Sequence, residues 1–287
     1  MAGLDIRLIT KSLGAEVKSL DLSGTHPAET FMALKDAAEH YGVIALRQQN
    51  LEPENLLEIT KGLGTPLIVP YVKPMDGYPQ LIAVLKEADE KKIAVFGGDW
   101  HSDFSFLEQP PAFTLLYAVE VPEVGGDTLF TDMRRIYQTL PEEVREKLIN
   151  TKACHSGHIY GVKNPPTTHM TTSRSIAISR NNPEADSERA HPAVRRHPAS
   201  GEAALFVNPI YTTRLDGMSE EESEKTLDLI YAEARRDEDQ LRWNWQVGDL
   251  LIWDNRIVMH CAVNDYDGSR RLLWRSTTQG EVPEAIA

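Results

Sequence analysis

Apolar residues in this chain recur mainly in short runs bounded by glycine, proline, asparagine or aspartate, a pattern typical of β-strands. The run Leu250-Leu251-Ile252-Trp253, which precedes an Asp-Asn pair, is one example. The pattern predicts a short buried strand at 43–46, extended segments within 4–22, and strands at 80–85, 101–107, 113–121, 128–131, 192–195, 203–208, 250–259 and 271–277. We therefore expect a mainly β protein.

Helical spacing of apolar residues appears in a few longer segments, and we predict helices at 27–40, 53–62, 141–150 and 219–236. The first opens on Pro27 and places Phe31, Leu34 and Ala38 on one face. The last starts with glutamates and ends with an Arg-Arg pair, as the helix dipole favours.

No repeat or low-complexity linker divides the chain, so residues 1–287 are predicted to form one domain. A content of 41% hydrophobic residues is enough for a large core. Interleaved apolar strands of this kind predict a jelly roll, with helices 27–40 and 219–236 covering the major sheet. The polar segment near 155–190 is irregular and long, which is typical of a lid.

A candidate metal site comes from His101, Asp103 and the distant His260. If residues 101–107 form a strand, His101 and Asp103 point to the same side of it. His260 lies just before a turn cluster and could close the site. Two histidines and one carboxylate on one face of an octahedron, with the other face open, form the ligand set of non-heme Fe(II) oxygenases.

Two arginines follow on the predicted return strand 271–277. Because Arg271 and Arg275 are four residues apart, they should face the same side, about 13 Å apart. A buried guanidinium suits a carboxylate, since its planar fork makes two parallel hydrogen bonds. This pair therefore predicts recognition of anions near the metal.

The chain resembles the taurine dioxygenase and 2,4-dichlorophenoxyacetate dioxygenase family of Fe(II)- and 2-oxoglutarate-dependent oxygenases. The matching motifs follow one another in family order: Leu13-Gly14-Ala15-Glu16-Val17, Leu20-Asp21-Leu22, Gly42-Val43-Ile44-Ala45-Leu46-Arg47, Trp100-His101-Ser102-Asp103, Gly125-Gly126-Asp127-Thr128, Leu205-Phe206-Val207-Asn208, Ile252-Trp253-Asp254-Asn255-Arg256, and Arg271 with Arg275. They span nearly the whole chain. The resemblance implies a double-stranded β-helix with helices packed outside.

The resemblance also implies a role for each site residue. His101, Asp103 and His260 would hold Fe(II), and Thr128 and Arg271 would hold the distal carboxylate of 2-oxoglutarate. Dioxygen would be the second co-substrate, and the reaction would hydroxylate an unactivated C–H bond with release of succinate and carbon dioxide. Because the carboxylate ligand is present, hydroxylation is expected rather than halogenation.

The expected substrate is a small anionic organic molecule. Arg275 matches the arginine that relatives use on an anionic substrate group, and Val69, Tyr71, Phe104 and Tyr211 would form a mainly apolar pocket. Taurine itself is disfavoured, because the histidine and asparagine that contact it in taurine dioxygenase align with Val69 and a glycine. Aryloxyalkanoates, other carboxylates, sulfonates and alkyl sulfate esters remain open.

Charge and composition narrow the possible partners. A net charge of −13 argues against binding to nucleic acid or to an anionic membrane surface. No apolar run approaches transmembrane length, no signal-like segment is recognisable, and only two cysteines are present. We expect a cytoplasmic protein with reduced thiols that assembles as a homo-oligomer, a dimer or a tetramer.

Two alternative functions fit parts of the pattern. A jelly-roll hydrolase or isomerase could use another metal on the same three ligands, but it would not need Thr128 and Arg271 placed for a dicarboxylate. A non-catalytic binding module would not need an open metal face. His155 and His158 have metal-like spacing but lack a third partner, so a second metal site is not expected.

Overall fold

The computed structural model of the protein describes residues 3–163, 174–236, 238 and 240–286. Most of the regular structure in these residues is β. The strands are β1 (Asp5–Leu8), β2 (Ala15–Lys18), β3 (Val43–Leu46), β4 (Leu81–Lys86), β5 (Phe113–Glu120), β6 (Thr128–Asp132), β7 (Lys152–Ser156), β8 (Glu188–Pro192), β9 (Val194–Arg196), β10 (Ala203–Leu205), β11 (Thr212–Leu215), β12 (Leu241–Trp243), β13 (Leu250–Asp254), β14 (Val258–Ala262) and β15 (Arg271–Thr277).

The predicted helices are confirmed to within about two residues at each end. The helices are α1 (Ala28–Tyr41), α2 (Pro53–Leu63), α3 (Met133–Thr139), α4 (Glu142–Ile149) and α5 (Glu220–Ala234), with short 3-10 helices at His158–Tyr160 and Pro183–Asp186. Helix α3 was not predicted because it is short and directly continues β6. Its start is fixed by Asp132, whose side chain accepts a hydrogen bond from the backbone N–H of Arg134.

The strands form a jelly roll, as predicted. The large sheet has the order β1-β2-β3-β13-β5-β15-β4, and it faces a three-stranded sheet of order β12-β6-β14. A second three-stranded sheet, β11-β7-β8, and the pair β10-β9 complete the described sheets. Strand β15, in the large sheet, carries the two predicted arginines. Strand β14, in the three-stranded sheet, carries His260.

The large sheet is buried on both faces. On the outer face, Ile44, Leu115 and Ile252 pack beneath α1 and α2. On the inner face, Trp253 of β13 packs with Phe130 of β6 in a second apolar cluster. This arrangement joins the two sheets by side-chain packing and leaves their open end for the polar groups of the site.

The structure corrects three expectations about the fold. Residues 101–107 do not form a strand: His101 makes an isolated bridge to His260, and residues 103–106 form a turn. The predicted strand 250–259 is two strands, β13 and β14, separated by turn residues 255–257. Helix α5 does not join α1 on the large sheet; it packs on α3 and β11, and α2 takes the predicted place.

The segment 155–190 is partly regular. It contains the end of β7, the two 3-10 helices and part of β8, while residues 164–173, where the centre of the predicted lid falls, lie outside the described residues. Among the described residues, no helix is both long enough and apolar enough to cross a membrane. Cys154 and Cys261 are both free thiols.

Candidate metal centre and co-substrate site

The three predicted metal ligands meet at the open end of the two sheets. Each of His101, Asp103 and His260 is buried, and the ligand atoms that they offer all lie within 4.8 Å of one another. Oδ1 of Asp103 is 3.5 Å from Nε2 of His101 and 3.9 Å from Nε2 of His260. No other group of three or more metal-ligating side chains occurs in the described part of the chain.

The backbone fixes the two histidines relative to each other. The N–H of His101 donates to the carbonyl of His260 at 3.0 Å, and the N–H of His260 donates back at 2.9 Å. Nδ1 of His101 lies 2.7 Å from the carbonyl oxygen of Asp99. Because a carbonyl can only accept, this Nδ1 must carry the proton, which leaves the Nε2 lone pair free for a metal.

The electrostatics keep His260 and Asp103 in the forms that bind metals. Burial holds the pKa of His260 well below its usual value, so its imidazole is neutral. Burial alone would raise the pKa of Asp103, but the nearby charge of Arg275, with smaller contributions from the two histidines, holds it well below its usual range. The site therefore offers a neutral imidazole at His260 and an ionised carboxylate at Asp103.

Asp103 divides its two oxygens between different partners. Oδ1 faces the histidines, whereas Oδ2 accepts a 2.6 Å hydrogen bond from Thr114 Oγ1 and lies 2.9 Å from Arg275 Nη2. Thr114 in turn accepts a 2.8 Å hydrogen bond from Asn255 Nδ2, and the indole N–H of Trp253 donates to Asn255 Oδ1 at 2.9 Å. This chain of bonds orients the carboxylate so that one oxygen is left for a metal.

The side chain of Asp103 reaches the site from a turn, and this replaces the predicted explanation for its position. Phe104 has a φ of 43°, which turns the chain directly after Asp103. Such a conformation is rare for an aromatic residue. The His-x-Asp spacing therefore works here through the bridge at His101 and the turn at Asp103, without the alternation of a strand.

The geometry of the triad fits a first-row metal. With bonds of about 2.1 Å, neighbouring ligand atoms on one octahedral face lie about 3 Å apart. The observed separations of 3.5 and 3.9 Å need only small side-chain shifts to reach that value. The donor set is the one that leaves open positions for a co-substrate and dioxygen.

A small cavity of about 40 Å³ adjoins the triad and holds the predicted co-substrate residues. Thr128 and Arg271 both line it, together with the three ligands and Arg275. Nε and Nη2 of Arg271 are buried and find no hydrogen-bond partner among the described residues. Burial lowers the pKa of Arg271. Desolvating a guanidinium is costly unless an anion pairs with it, so these nitrogens fit a bound carboxylate.

Aromatic residues support both Arg271 and Thr128. The guanidinium of Arg271 lies over the rings of Trp245 and Tyr266, at 5.9 and 5.8 Å from their centres. The indole N–H of Trp245 donates a 2.9 Å hydrogen bond to Thr128 Oγ1. The bond from Trp245 occupies one lone pair of the Thr128 hydroxyl. The hydroxyl proton of Thr128 is therefore free to be donated towards the cavity.

A larger cavity of about 400 Å³ also borders His101 and Asp103. Of the predicted substrate residues, Phe104 and Tyr211 line it. Val69 and Tyr71 do not line this cavity; they pack behind it in the same apolar cluster as Phe104 and Tyr211. Arg275 borders the smaller cavity instead.

Comparison with known proteins agrees with this geometry. The family model described as taurine catabolism dioxygenase TauD, TfdA family matches residues 5–277. The chain belongs to this family. As a member of the TauD/TfdA family, the protein is an oxidoreductase, a dioxygenase that uses 2-oxoglutarate and dioxygen, and the expected family membership is confirmed.

Several TauD/TfdA-related proteins align over almost the whole chain. An alpha-ketoglutarate-dependent sulfate ester dioxygenase of Pseudomonas putida is 32% identical over 285 residues, which cover 99% of this chain and 92% of the relative. An alkylsulfatase of Acinetobacter baylyi is 31% identical, with 97% of this chain and 86% of the relative covered. The crystal structure of a taurine dioxygenase from Burkholderia xenovorans superimposes with a TM-score of 0.80 at 26% identity, covering 98% and 92% of the two chains.

Sequence reasoning about this TauD/TfdA enzyme missed three residues that support the site. Thr114 holds Asp103, Trp245 holds Thr128, and Tyr266 packs against Arg271. Trp245 lies 117 residues from Thr128, whereas Thr114 lies 11 residues from Asp103 and Tyr266 five residues from Arg271. Threonine and aromatic residues are common in strands, so their residue types alone did not indicate these contacts.

Proposed function

We propose that His101, Asp103 and His260 bind Fe(II), and that Thr128 and Arg271 bind the distal carboxylate of 2-oxoglutarate. The observation that carries this proposal is the buried guanidinium of Arg271, whose Nε and Nη2 lack partners among the described residues, in the cavity that the metal triad shares. A charge-assisted fork to a carboxylate would satisfy both nitrogens. The other end of the same co-substrate would then reach the open metal face.

When bound, iron(II) with 2-oxoglutarate and dioxygen supplies an oxidant that removes hydrogen from an unactivated C–H bond and returns a hydroxyl group. The protein's part is to position the reactants. Thr128 and Arg271 fix the co-substrate, and Thr114 orients Asp103. Phe104 and Tyr211 form an apolar wall of the larger cavity, which excludes water from the substrate.

We propose an alkyl sulfate ester or a related sulfonate as the substrate, within the broader class of small anionic molecules. The two sequence relatives described above, a sulfate ester dioxygenase and an alkylsulfatase, support this choice. Hydroxylation of the carbon next to the ester oxygen would give an unstable hemiacetal of sulfate. The C–O bond to sulfate would then break, releasing an aldehyde and hydrogen sulfate.

Arg275 is the proposed contact for the anionic group of the substrate near the metal. Its Nη1 has no hydrogen-bond partner among the described residues, although its Nη2 lies beside Asp103. We expect Arg275→Ala to raise the Kd for substrate tenfold or more, which corresponds to a loss of at least about 1.4 kcal/mol in binding free energy. The affinity for 2-oxoglutarate should change little. An effect confined to 2-oxoglutarate would contradict this role.

The function can be tested with a substrate panel scored by two products. Purified enzyme with Fe(II), 2-oxoglutarate and air would be given alkyl sulfates, alkanesulfonates, aryloxyacetates, other carboxylates and a neutral ester of each. We expect succinate from the true class, and sulfate or sulfite in equal amount when the substrate fragments. Succinate formed equally well with the neutral esters would refute an anionic substrate, and no succinate above the substrate-free background would refute the whole proposal.

We also propose the remaining sequence expectations for this enzyme: a single domain, a substrate-responsive lid within 155–190, a homo-oligomeric assembly and a cytoplasmic location. The family match over residues 5–277 supports the single domain. Light scattering of the purified protein would give its oligomeric state. Equal protease sensitivity of 155–190 with and without substrate would argue against the lid.

A further inference from the structure

The larger cavity has two cationic side chains that the proposed chemistry does not use. Arg174 and Arg180 both line this cavity, as do His101 and Asp103. The rest of its lining is largely apolar and includes Phe96, Ile159, Ile178 and Ile210. The cavity therefore combines two predicted metal ligands, an apolar lining and a pair of guanidinium groups.

Arg174 has few hydrogen-bond partners among the described residues. Its Nε and Nη2 are buried and make no hydrogen bond within the described residues. Glu90 is the carboxylate whose charge acts on Arg174. It already accepts hydrogen bonds from the backbone N–H and the hydroxyl of Ser175, the latter at 2.6 Å. Burial and the charge of Arg180 lower the pKa of Arg174, whereas Glu90 opposes that shift. A desolvated cation beside a like charge is destabilising unless an anion binds there.

Arg180 is partly anchored and so can hold its position in the wall. Its Nη1 donates a 2.7 Å hydrogen bond to the carbonyl oxygen of Ile159. The carboxylates that line the same cavity are Asp99 and Asp103, and Asp103 already pairs with Arg275. In a chain with a net charge of −13, two arginines at one cavity wall concentrate positive charge where a ligand would enter.

We propose that Arg174 and Arg180 form a second anion-binding subsite, which selects substrates carrying a second negative group at the end remote from the oxidised carbon. This inference rests on the proposed function, because it assumes that the oxidised carbon lies at the metal face. The ligand class is a doubly anionic, apolar-bodied molecule, such as an alkyl sulfate with a terminal carboxylate. The apolar lining of the cavity would contact the chain between the two charges.

The test compares binding of two ligands that differ only in the second charge. Alkyl sulfates from butyl to octyl and their ω-carboxyalkyl counterparts would be titrated calorimetrically into the enzyme with Fe(II) and 2-oxoglutarate under anaerobic conditions. At the best chain length, the dianion should bind at least about tenfold more tightly than the monoanion, about 1.4 kcal/mol. Equal affinities, or no binding of either ligand at any length, would overturn the subsite.

Variants assign the preference to the two arginines. Arg174→Gln and the double variant with Arg180→Gln should reduce or abolish the preference for the dianion and leave monoanion affinity within about twofold. The Arg174→Lys variant, which keeps the charge, should retain much of it. Arg7→Gln with Lys11→Gln is the matched control, since both residues are exposed and line none of this cavity.

The outcomes separate this inference from the proposed function. A double variant that keeps the preference, or a control that loses it, would overturn the subsite, the latter by assigning the effect to overall charge. Circular dichroism of the single variant Arg174→Gln would show whether the fold is kept when the arginine without described partners is changed. If the dianion binds with the expected preference but air gives no succinate, the subsite stands and the proposed oxidation fails.

Discussion

Arg275 and Asp103 form a buried ion pair at the proposed metal centre, with Nη2 of the arginine 2.9 Å from Oδ2 of the carboxylate. Each residue is only 3–4% exposed. In the absence of a metal, Arg275 provides the charge that compensates Asp103. When a divalent cation binds to Oδ1, the same arginine becomes a nearby like charge. The pair therefore links the stability of the metal-free protein to its metal affinity.

Arg275→Met should destabilise the metal-free protein, because it leaves a buried carboxylate without its cation. We expect the free energy of unfolding to fall by about 3–5 kcal/mol. Added Mn(II) or Fe(II) should recover much of this loss and should bind at least as tightly as to the wild type. Urea denaturation with and without metal measures both effects. Arg271→Met is the control, since Arg271 forms no ion pair in the described structure and its removal should cost less.

Replacement of any metal ligand should abolish turnover. We expect no succinate from His101→Ala, Asp103→Ala or His260→Ala at saturating Fe(II), because each lacks one of three ligands. The stability of these variants should differ, since only Asp103→Ala leaves Arg275 as an unpaired buried cation. Thermal denaturation of the metal-free proteins should therefore place Asp103→Ala lowest. Full activity in any of the three would refute the ligand set.

Trp245→Phe should raise the KM for 2-oxoglutarate and leave the KM for substrate nearly unchanged. The variant removes the indole N–H that orients Thr128 Oγ1, a bond that contributes about 0.5–1.5 kcal/mol. Arg271→Ala should have a larger effect, about 1.5–3 kcal/mol, because a charged partner is lost.

Steady-state kinetics in a double-mutant cycle tests whether Trp245 acts through Thr128. In a Thr128→Val background, Trp245→Phe should have little further effect on the KM for 2-oxoglutarate. Additive effects in the double variant would assign Trp245 to packing alone.

Acid should weaken the fold in part through His155, which is fully buried beside Ser105. Burial lowers the pKa of His155 to about 3, whereas the pKa of histidine in an unfolded chain is about 6.5. As the pH falls, this histidine takes up a proton in the unfolded state before it does so in the folded state. The free energy of unfolding that it contributes above about pH 6.5 is therefore lost as the pH falls towards about 3. The slope from this residue is about 1.4 kcal/mol per pH unit.

The difference between wild type and His155→Gln isolates this contribution. Urea denaturation of the metal-free protein at several pH values between 4 and 7 should give a shallower pH dependence for the variant. The exposed His40 provides the control, because His40→Gln should leave the wild-type slope intact. Parallel slopes for wild type and His155→Gln would contradict the assignment.

Periodicity predicted most elements because the sheet faces and helix faces of this protein are consistently apolar. It failed at 101–107, where Phe104 and Phe106 look like strand residues but lie in a turn and pack in one apolar cluster. It merged β13 and β14 because the turn at 255–257 contains no glycine or proline. In both places the side chains are buried because they lie next to the candidate site. The local pattern of apolar residues does not encode that kind of burial.

The sequence indicated the candidate site through residues with distinctive chemistry, but it did not indicate the supporting contacts of Thr114, Trp245 and Tyr266. The structure brings His101, Asp103 and His260 together, and it places Thr128 and Arg271 in one cavity beside them. The pairing of Arg275 with Asp103 was unexpected, since the sequence suggested that this arginine faced the substrate alone. Contacts between distant strands depend on sheet register, which a single sequence specifies only indirectly.

The reciprocal backbone bonds between His101 and His260 have a consequence for how the enzyme would acquire its metal. Two of the three ligands are held by main-chain bonds, which persist whether or not an ion is present. Metal loading would then require little ordering of the chain, unlike a zinc finger, whose folding depends on the ion. A chelator should therefore strip the protein to a folded, reloadable form, and the identity of the ion should follow the cell's supply as much as the protein's preference.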